Sequence, residues 1–343
     1  MSLNKGRDSH IDNIKIFLLF LVAFAHNLIP FREENVLVEN LIKIIYLFHM
    51  PLFAFCTGYL VRKSKRNVWS YIKKLLLPYL IFQLCYVLLG TIMIHMGVID
   101  YSTNTMTRSM VEPSSPLYFL ACMICWRLFC EIFNNIQAIK GEGVNLHKII
   151  VGIFLIVIAI LISADPYANT MILPIFSLLP FYYLGYVADW HKLEEWVNGI
   201  PWWIIGMMIF VYIGICCIVP YETILFRMNI WTIDGISIMA AFLSKILYYV
   251  TALVGSVIVM RILTGKFIKY VTKKSENGMI IYIGSSFVSP YLYILLYNKI
   301  NVLGSQIAIN LLGIIIFTLV SIEVLSWNCW KKLYDFIFGR FVS

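Results

Sequence analysis

One apolar stretch, residues 11–31 (IDNIKIFLLFLVAFAHNLIPF), carries Asp12 and Lys15 near its start and His26 near its end. Lys15 and His26 differ by eleven positions. On a helix that is three turns plus roughly 20°, so the two share a face about 16 Å apart along the axis. A neutral imidazole can exchange a proton near pH 7. An ammonium lower on the same stripe can attract an anionic group. Two plainer roles are also open: Lys15 snorkelling to an interface, and His26 hydrogen-bonded inside a bundle. Ionisable groups within a bilayer are costly and usually face a pathway or a site, which favours a functional His26.

A second imidazole, His49, lies in the next apolar run, followed by Met50 and Pro51. Proline removes a helical N–H, so this helix is expected to distort and open backbone groups to a cavity. His49 reads equally as a site residue or as a packing histidine. Asp12, three residues before Lys15, is expected to pair with it or to cap the helix start. Arg127, Lys245 and Glu323 fall within apolar runs and receive no assigned role. His10, His95, His147 and His191 stand at run ends or in loops, with no metal-ligand spacing between them, so no metal is expected. The Cys122-x-x-Cys125 pair lacks a matching His or Cys pair and reads as small-residue packing.

The elements that must hold these residues are membrane helices. The chain is 61% hydrophobic and only 13% charged, with a mean hydropathy of +0.83. Soluble domains carry about 25% charged residues, so a water-soluble fold is excluded. Continuous apolar runs, rather than ten-residue alternation, exclude an outer-membrane barrel. The fold class is therefore all-α, a polytopic membrane bundle of about ten helices in a single domain over residues 1–343. The spans are 11–31, 38–61, 75–95, 115–134, 148–164, 171–188, 200–219, 236–260, 279–298 and 305–327, with loops at 96–114 and 261–278. No cleavable signal peptide is expected, the first run reading as a retained helix. With the N-terminus inside, nineteen lysines and arginines fall in inner segments against four in outer ones. Both termini are therefore expected in the cytoplasm. The net charge of +9 is topological and gives no sign of nucleic-acid binding. The loop from Arg62 to Lys74 is the most cationic inner patch beside the first helices. It can contact anionic lipid or dock a polyanionic ligand.

Several segments, in order, resemble the membrane acyltransferase-3 family, in particular its stand-alone branch of fucose 4-O-acetylase-like proteins. The basic residue, ten residues and then His26 match its first helix. YLFHMPLFAFCTGYLVRKSKR (46–66) matches its second, with Thr57-Gly58 as the small hydroxyl–glycine pair. KKLLLPYL (73–80), PLYFLACM (116–123), FYYLGY (181–186) and ENGMIIYIG (276–284) resemble later motifs. The chain departs from the pattern at Lys15, where many members have Arg, at Thr57 for Ser, at Tyr118 for Trp, and at Ser285 near a frequent His. An ammonium gives up the bidentate fork of a guanidinium.

The resemblance implies transfer of an acyl group, usually acetyl, from cytoplasmic acyl-CoA to a hydroxyl of an extracytoplasmic or cell-surface carbohydrate. It makes the protein a multi-pass O-acetyltransferase of the cell membrane. On this reading His26 is catalytic, as general base or as covalent acyl relay. Lys15, Lys73 and Lys74 bind the donor, and His49, Thr57 and Tyr118 line the substrate cavity. The Lys15–His26 separation of about 16 Å is comparable with a pantetheine arm. Acyl-CoA is a substrate, and no permanently bound cofactor is expected. No hydrolase-like domain is expected after the last span, so transfer finishes in the membrane part or a partner protein completes it. The competing reading is a polytopic exporter of a glycan precursor, although the repeated halves frequent in transporters are not evident.

Overall fold

The computed structural model describes residues 8–33, 35–64, 67–95, 113, 117–136, 145–163, 172–220, 237–263, 269–287 and 307–339. These form thirteen α-helices and one 3-10 turn, with no strand among the described residues. The helices are α1 (Ser9–Leu28), α2 (Val36–Lys63), α3 (Val68–His95), α4 (Tyr118–Asn135), α5 (Leu146–Ser163), α6 (Ile172–Val187) and α7 (Trp190–Gly199). They continue with α8 (Trp202–Ile218), α9 (Ile238–Ile262), α10 (Lys269–Glu276), α11 (Gly278–Phe287), α12 (Ile307–Leu325) and α13 (Asn328–Phe338). The protein is an all-α polytopic membrane protein.

Among the described residues, five helices are long and apolar enough to cross a bilayer, and up to seven if α6–α7 and α12–α13 each count as one broken span. The ten sequence-derived spans all fall on helices. α8 is an apolar helix of 17 residues, α4 carries Arg127 and Glu131, and the second half of 279–298 lies outside the described residues. Where the sequence suggested a loop at 261–278, residues Lys269–Glu276 form a helix. α3 also begins earlier than residue 75, at Val68. Both extensions are polar on one side, which hides them from a hydropathy reading while leaving helix formation intact.

The described chain divides into two compact units, each assembled from separated stretches. The first comprises Met1–Cys56, Trp190–Leu225 and Ser244–Lys332. In it α1 packs against α10, α11 and α12, and α11 against α12. The second comprises Thr57–Asp189, Phe226–Leu243 and Leu333–Ser343. There α3 packs on α4, and α6 on both α4 and α5. Burial separates inner helices from peripheral ones. In α2, 78% of the most apolar window is buried, against 22% in α5. α5 presents Ile149, Ile153, Phe154 and Leu161 outward, as a lipid-facing helix does.

Two glycines permit close helix contacts. At Gly255 of α9 an added methyl would fall 2.7 Å from Phe48 Cβ of α2 and 2.9 Å from the Tyr212 ring of α8. At Gly58, in the second unit, it would meet the Tyr182 carbonyl of α6. α2 itself runs unbroken through Pro51. The expected interruption is thus confined to the hydrogen-bond ladder, where the Leu47 carbonyl loses its partner because proline has no N–H.

Candidate functional site

α1 starts at a side-chain cap. Asp8 accepts from the backbone N–H groups of His10 (3.1 Å) and Ile11 (3.3 Å). The cap is therefore Asp8, and Asp12 is left for tertiary contacts. His10, 2% exposed, anchors the same end. Its Nδ1 lies 2.8 Å from Glu194 Oε1 of α7 and its Nε2 3.0 Å from the Met260 carbonyl of α9, with Trp190 edge-on at 5.3 Å. Neither His10 nor Glu194 stood out in the sequence, because a loop histidine and an interfacial glutamate carry no local sign of meeting.

One turn further, Asp12, Lys15 and Ser275 form a small polar network. Ser275 Oγ donates to Asp12 Oδ1 at 2.7 Å, and Lys15 Nζ donates to Ser275 Oγ at 3.0 Å. Lys15 and Asp12 stand 3.7 Å apart as an ion pair. The expected Asp12–Lys15 pair is thus present, with a hydroxyl from α10 inserted. Lys15 keeps 20% side-chain exposure and Asp12 only 6%. The ammonium is partly neutralised but remains reachable.

Lys15 is close enough to Cys56 for its charge to act on the thiol, and His26 and His49 interact electrostatically in the same way. The ring centroids of Phe53 of α2 and Tyr282 of α11 lie 6.2 Å apart. His26 is partly buried and His49 is 4% exposed. One residue past His26, Asn27 Nδ2 donates to Thr318 Oγ1 of α12 at 3.0 Å, both side chains fully buried.

A cavity of about 770 Å³ lies against a different face of α1, lined by Asn13, Phe17, Phe20, Tyr270, Lys274 and Glu323 among others. Those α1 positions sit roughly 140° round the helix from the Lys15–His26 stripe. Glu323 is engaged at its rim, accepting from Tyr270 and pairing with Lys274. Lys245, fully buried on α9, lies over the Tyr248 ring at 5.6 Å.

The remaining sequence-derived residues belong to the second unit. Thr57 is buried on α2. Tyr118, 7% exposed, opens α4. Lys73 is exposed and Lys74 partly buried near the start of α3. Arg62 donates to the Tyr186 carbonyl at 3.0 Å, and Lys63 to Tyr59 Oη at 3.2 Å. Two cations of the basic patch are thus tied to protein oxygens, while Lys65 and Arg66 lie outside the described residues. Arg127 pairs with Glu131 one turn on, at 3.1 Å. Within α4–α6, Trp126 donates to the Ile175 carbonyl at 2.8 Å and Cys130 Sγ meets Tyr182 Oη at 3.0 Å. All eight cysteines are thiols rather than disulfides. Among the described residues no three His, Cys, Asp or Glu side chains gather as a metal-binding group.

The arrangement puts Lys15 and His26 on one face of α1, about 16 Å apart along its axis, with His49 within electrostatic range of His26. It suits proton transfer to and from a hydroxyl, or attack by a ring nitrogen on an activated carbonyl. Among protein families, the acyltransferase-domain model of the acyltransferase-3 family matches residues 8–339. No curated protein and no solved structure matches the chain.

Proposed function

The chain belongs to the acyltransferase-3 family and is a multi-pass membrane acyltransferase; from that premise we propose that it moves an acyl group, most simply acetyl, from cytoplasmic acyl-CoA to a hydroxyl of an extracytoplasmic carbohydrate in the cell membrane. The observation that carries this reading is that Lys15 and His26 share one face of α1, about 16 Å apart along its axis. The donor's thioester enters from the Lys15 end, where the positive-inside bias puts the cytoplasm. The nucleotide phosphates are assigned to lysines: Lys15, the exposed Lys73 and the partly buried Lys74. The thin pantetheine arm spans the about 16 Å to His26. There the imidazole serves as general base on the acceptor hydroxyl or takes the acyl group as a relay. Thr57 and Tyr118 are the substrate hydroxyl contacts that the family resemblance implies. Thr57, Lys15 or a backbone N–H would stabilise the oxyanion.

The test is His26→Ala expressed at normal membrane levels. O-acetylation of surface glycan, read by mass spectrometry of released sugars, is expected to fall by about 10²–10⁴-fold. Unchanged acetylation would remove His26 from the mechanism. Export of a glycan precursor that persists in this variant, with acetylation absent from the wild type, would favour the transporter reading.

A further inference from the structure

The cavity beside α1 is polar at one end and apolar along the rest. All of its lining belongs to the first unit. The polar side chains Asn13, Tyr270, Lys274 and Glu323 gather where α10 borders it. From Asn13 the α1 wall runs through Phe17 to Phe20, about 10 Å further along the helix. Ile262 of α9 and Leu319 and Val320 of α12 complete the apolar part. These three are exposed by half or more, so the hollow opens sideways to the bilayer. A volume of about 770 Å³ is within the range of ligand sites.

Such a profile matches a lipid, with a chain along the wall and a headgroup at the polar end. That end is the one the positive-inside bias assigns to the cytoplasm. The short helix α10, KYVTKKSE, is amphipathic, and its Tyr270 is exposed as an interfacial aromatic is. Residues 261–276 hold five basic residues against the single acid Glu276. Counting Glu323, which pairs with Lys274, the balance still favours an anionic headgroup. An ammonium has three donors, enough for Glu323 and a phosphate together. The rim also adjoins the Lys15 network. Asn13 and Lys274 line the cavity, while their chain neighbours Asp12 and Ser275 hold Lys15.

We propose that this cavity binds one anionic phospholipid, its phosphate accepting from Lys274 and one acyl chain lying along Phe17 and Phe20. The bound lipid steadies α10 where Ser275 grips Lys15. The site is independent of the acyl-transfer reading, and its effect on turnover rests on that reading.

The experiment reconstitutes purified full-length protein in nanodiscs of phosphatidylcholine alone, or of an equal mixture of phosphatidylcholine and phosphatidylglycerol. Native mass spectrometry then counts the lipid each chain keeps in detergent. Wild type is expected to keep one phosphatidylglycerol in preference to phosphatidylcholine. Val320→Trp, which fills the hollow from an exposed wall, is expected to lose it. The two charge variants are expected to diverge. Lys274→Gln weakens retention about fivefold, and Glu323→Gln, which relieves repulsion of the phosphate, strengthens it by about as much. If both charge variants shift the same way, the pair is purely structural and the headgroup assignment is overturned. Equal retention of the two lipids by wild type, or undiminished phosphatidylglycerol on Val320→Trp, overturns the site. CoA release from acetyl-CoA is expected to be faster in the mixed discs for wild type and insensitive to lipid in Val320→Trp. An equal lipid effect in both overturns the link to Lys15. Wild type that keeps the lipid yet releases no CoA in either disc overturns the acyl-transfer reading and not the lipid site.

Discussion

Lys15 holds its charge between a carboxylate and a hydroxyl, and the hydroxyl comes from a residue 260 positions away. Ser275 is the hinge of that network, since it both donates to Asp12 and accepts from Lys15. Ser275→Ala leaves a nearly buried carboxylate short of one donor. We expect a loss of about 1–3 kcal/mol, read as a lower unfolding midpoint in detergent. Lys15, His26 and His49 were visible in the sequence because an ionisable residue inside an apolar run is conspicuous by type alone. Their companions were not. Ser275 is a serine in a basic stretch, and His10 and Glu194 are ordinary residues for a membrane interface. No periodicity links positions so far apart, so what each one touches becomes legible only when the chain is folded.

At the level of elements, the apolar runs announced most helices, and amphipathic ones escaped. α7 and α10 have polar faces, and a scale that averages over a window reads them as loops. Close approach was equally hidden. Gly255 lets α9 touch α2 at Phe48, the residue beside His49. Gly255→Ala forces a methyl against Phe48 Cβ and the Tyr212 ring, neither of which is the free end of a flexible chain. The expected cost is about 1–3 kcal/mol of stability. Acyl transfer should also fall more than for a comparable methyl at Gly206, which nothing approaches within 4 Å. Side-by-side assay of the two alanine variants checks this, and equal activity would show that the α2–α9 contact does not position the functional residues of α2. Pro51 illustrates the opposite limit of sequence reasoning. It predicts a lost hydrogen bond correctly but not whether the helix bends, because the neighbours of α2 decide that.

For the whole molecule, the charge asymmetry of the sequence predicts that both ends of the chain lie on the cytoplasmic side. Cys329, exposed on α13, is the natural reporter. In a background with the other cysteines replaced, it should react with an impermeant maleimide only after the cell is opened, whereas Arg32→Cys with Cys329 replaced should react from outside. Labelling of Cys329 in intact cells would invert the topology and strand Lys15 on the wrong side for a cytoplasmic donor. The division into two units also bears on assembly. The first helix finds its partners α10 to α12 only after some 240 further residues. A ribosome making this chain inserts α1 into the bilayer before Ser275 and Thr318, the partners of Asp12, Lys15 and Asn27, have been made. α1 is thus in place long before its polar network is complete, and a nascent product halted before α10 would carry a half-clothed polar helix, a natural target for membrane quality control.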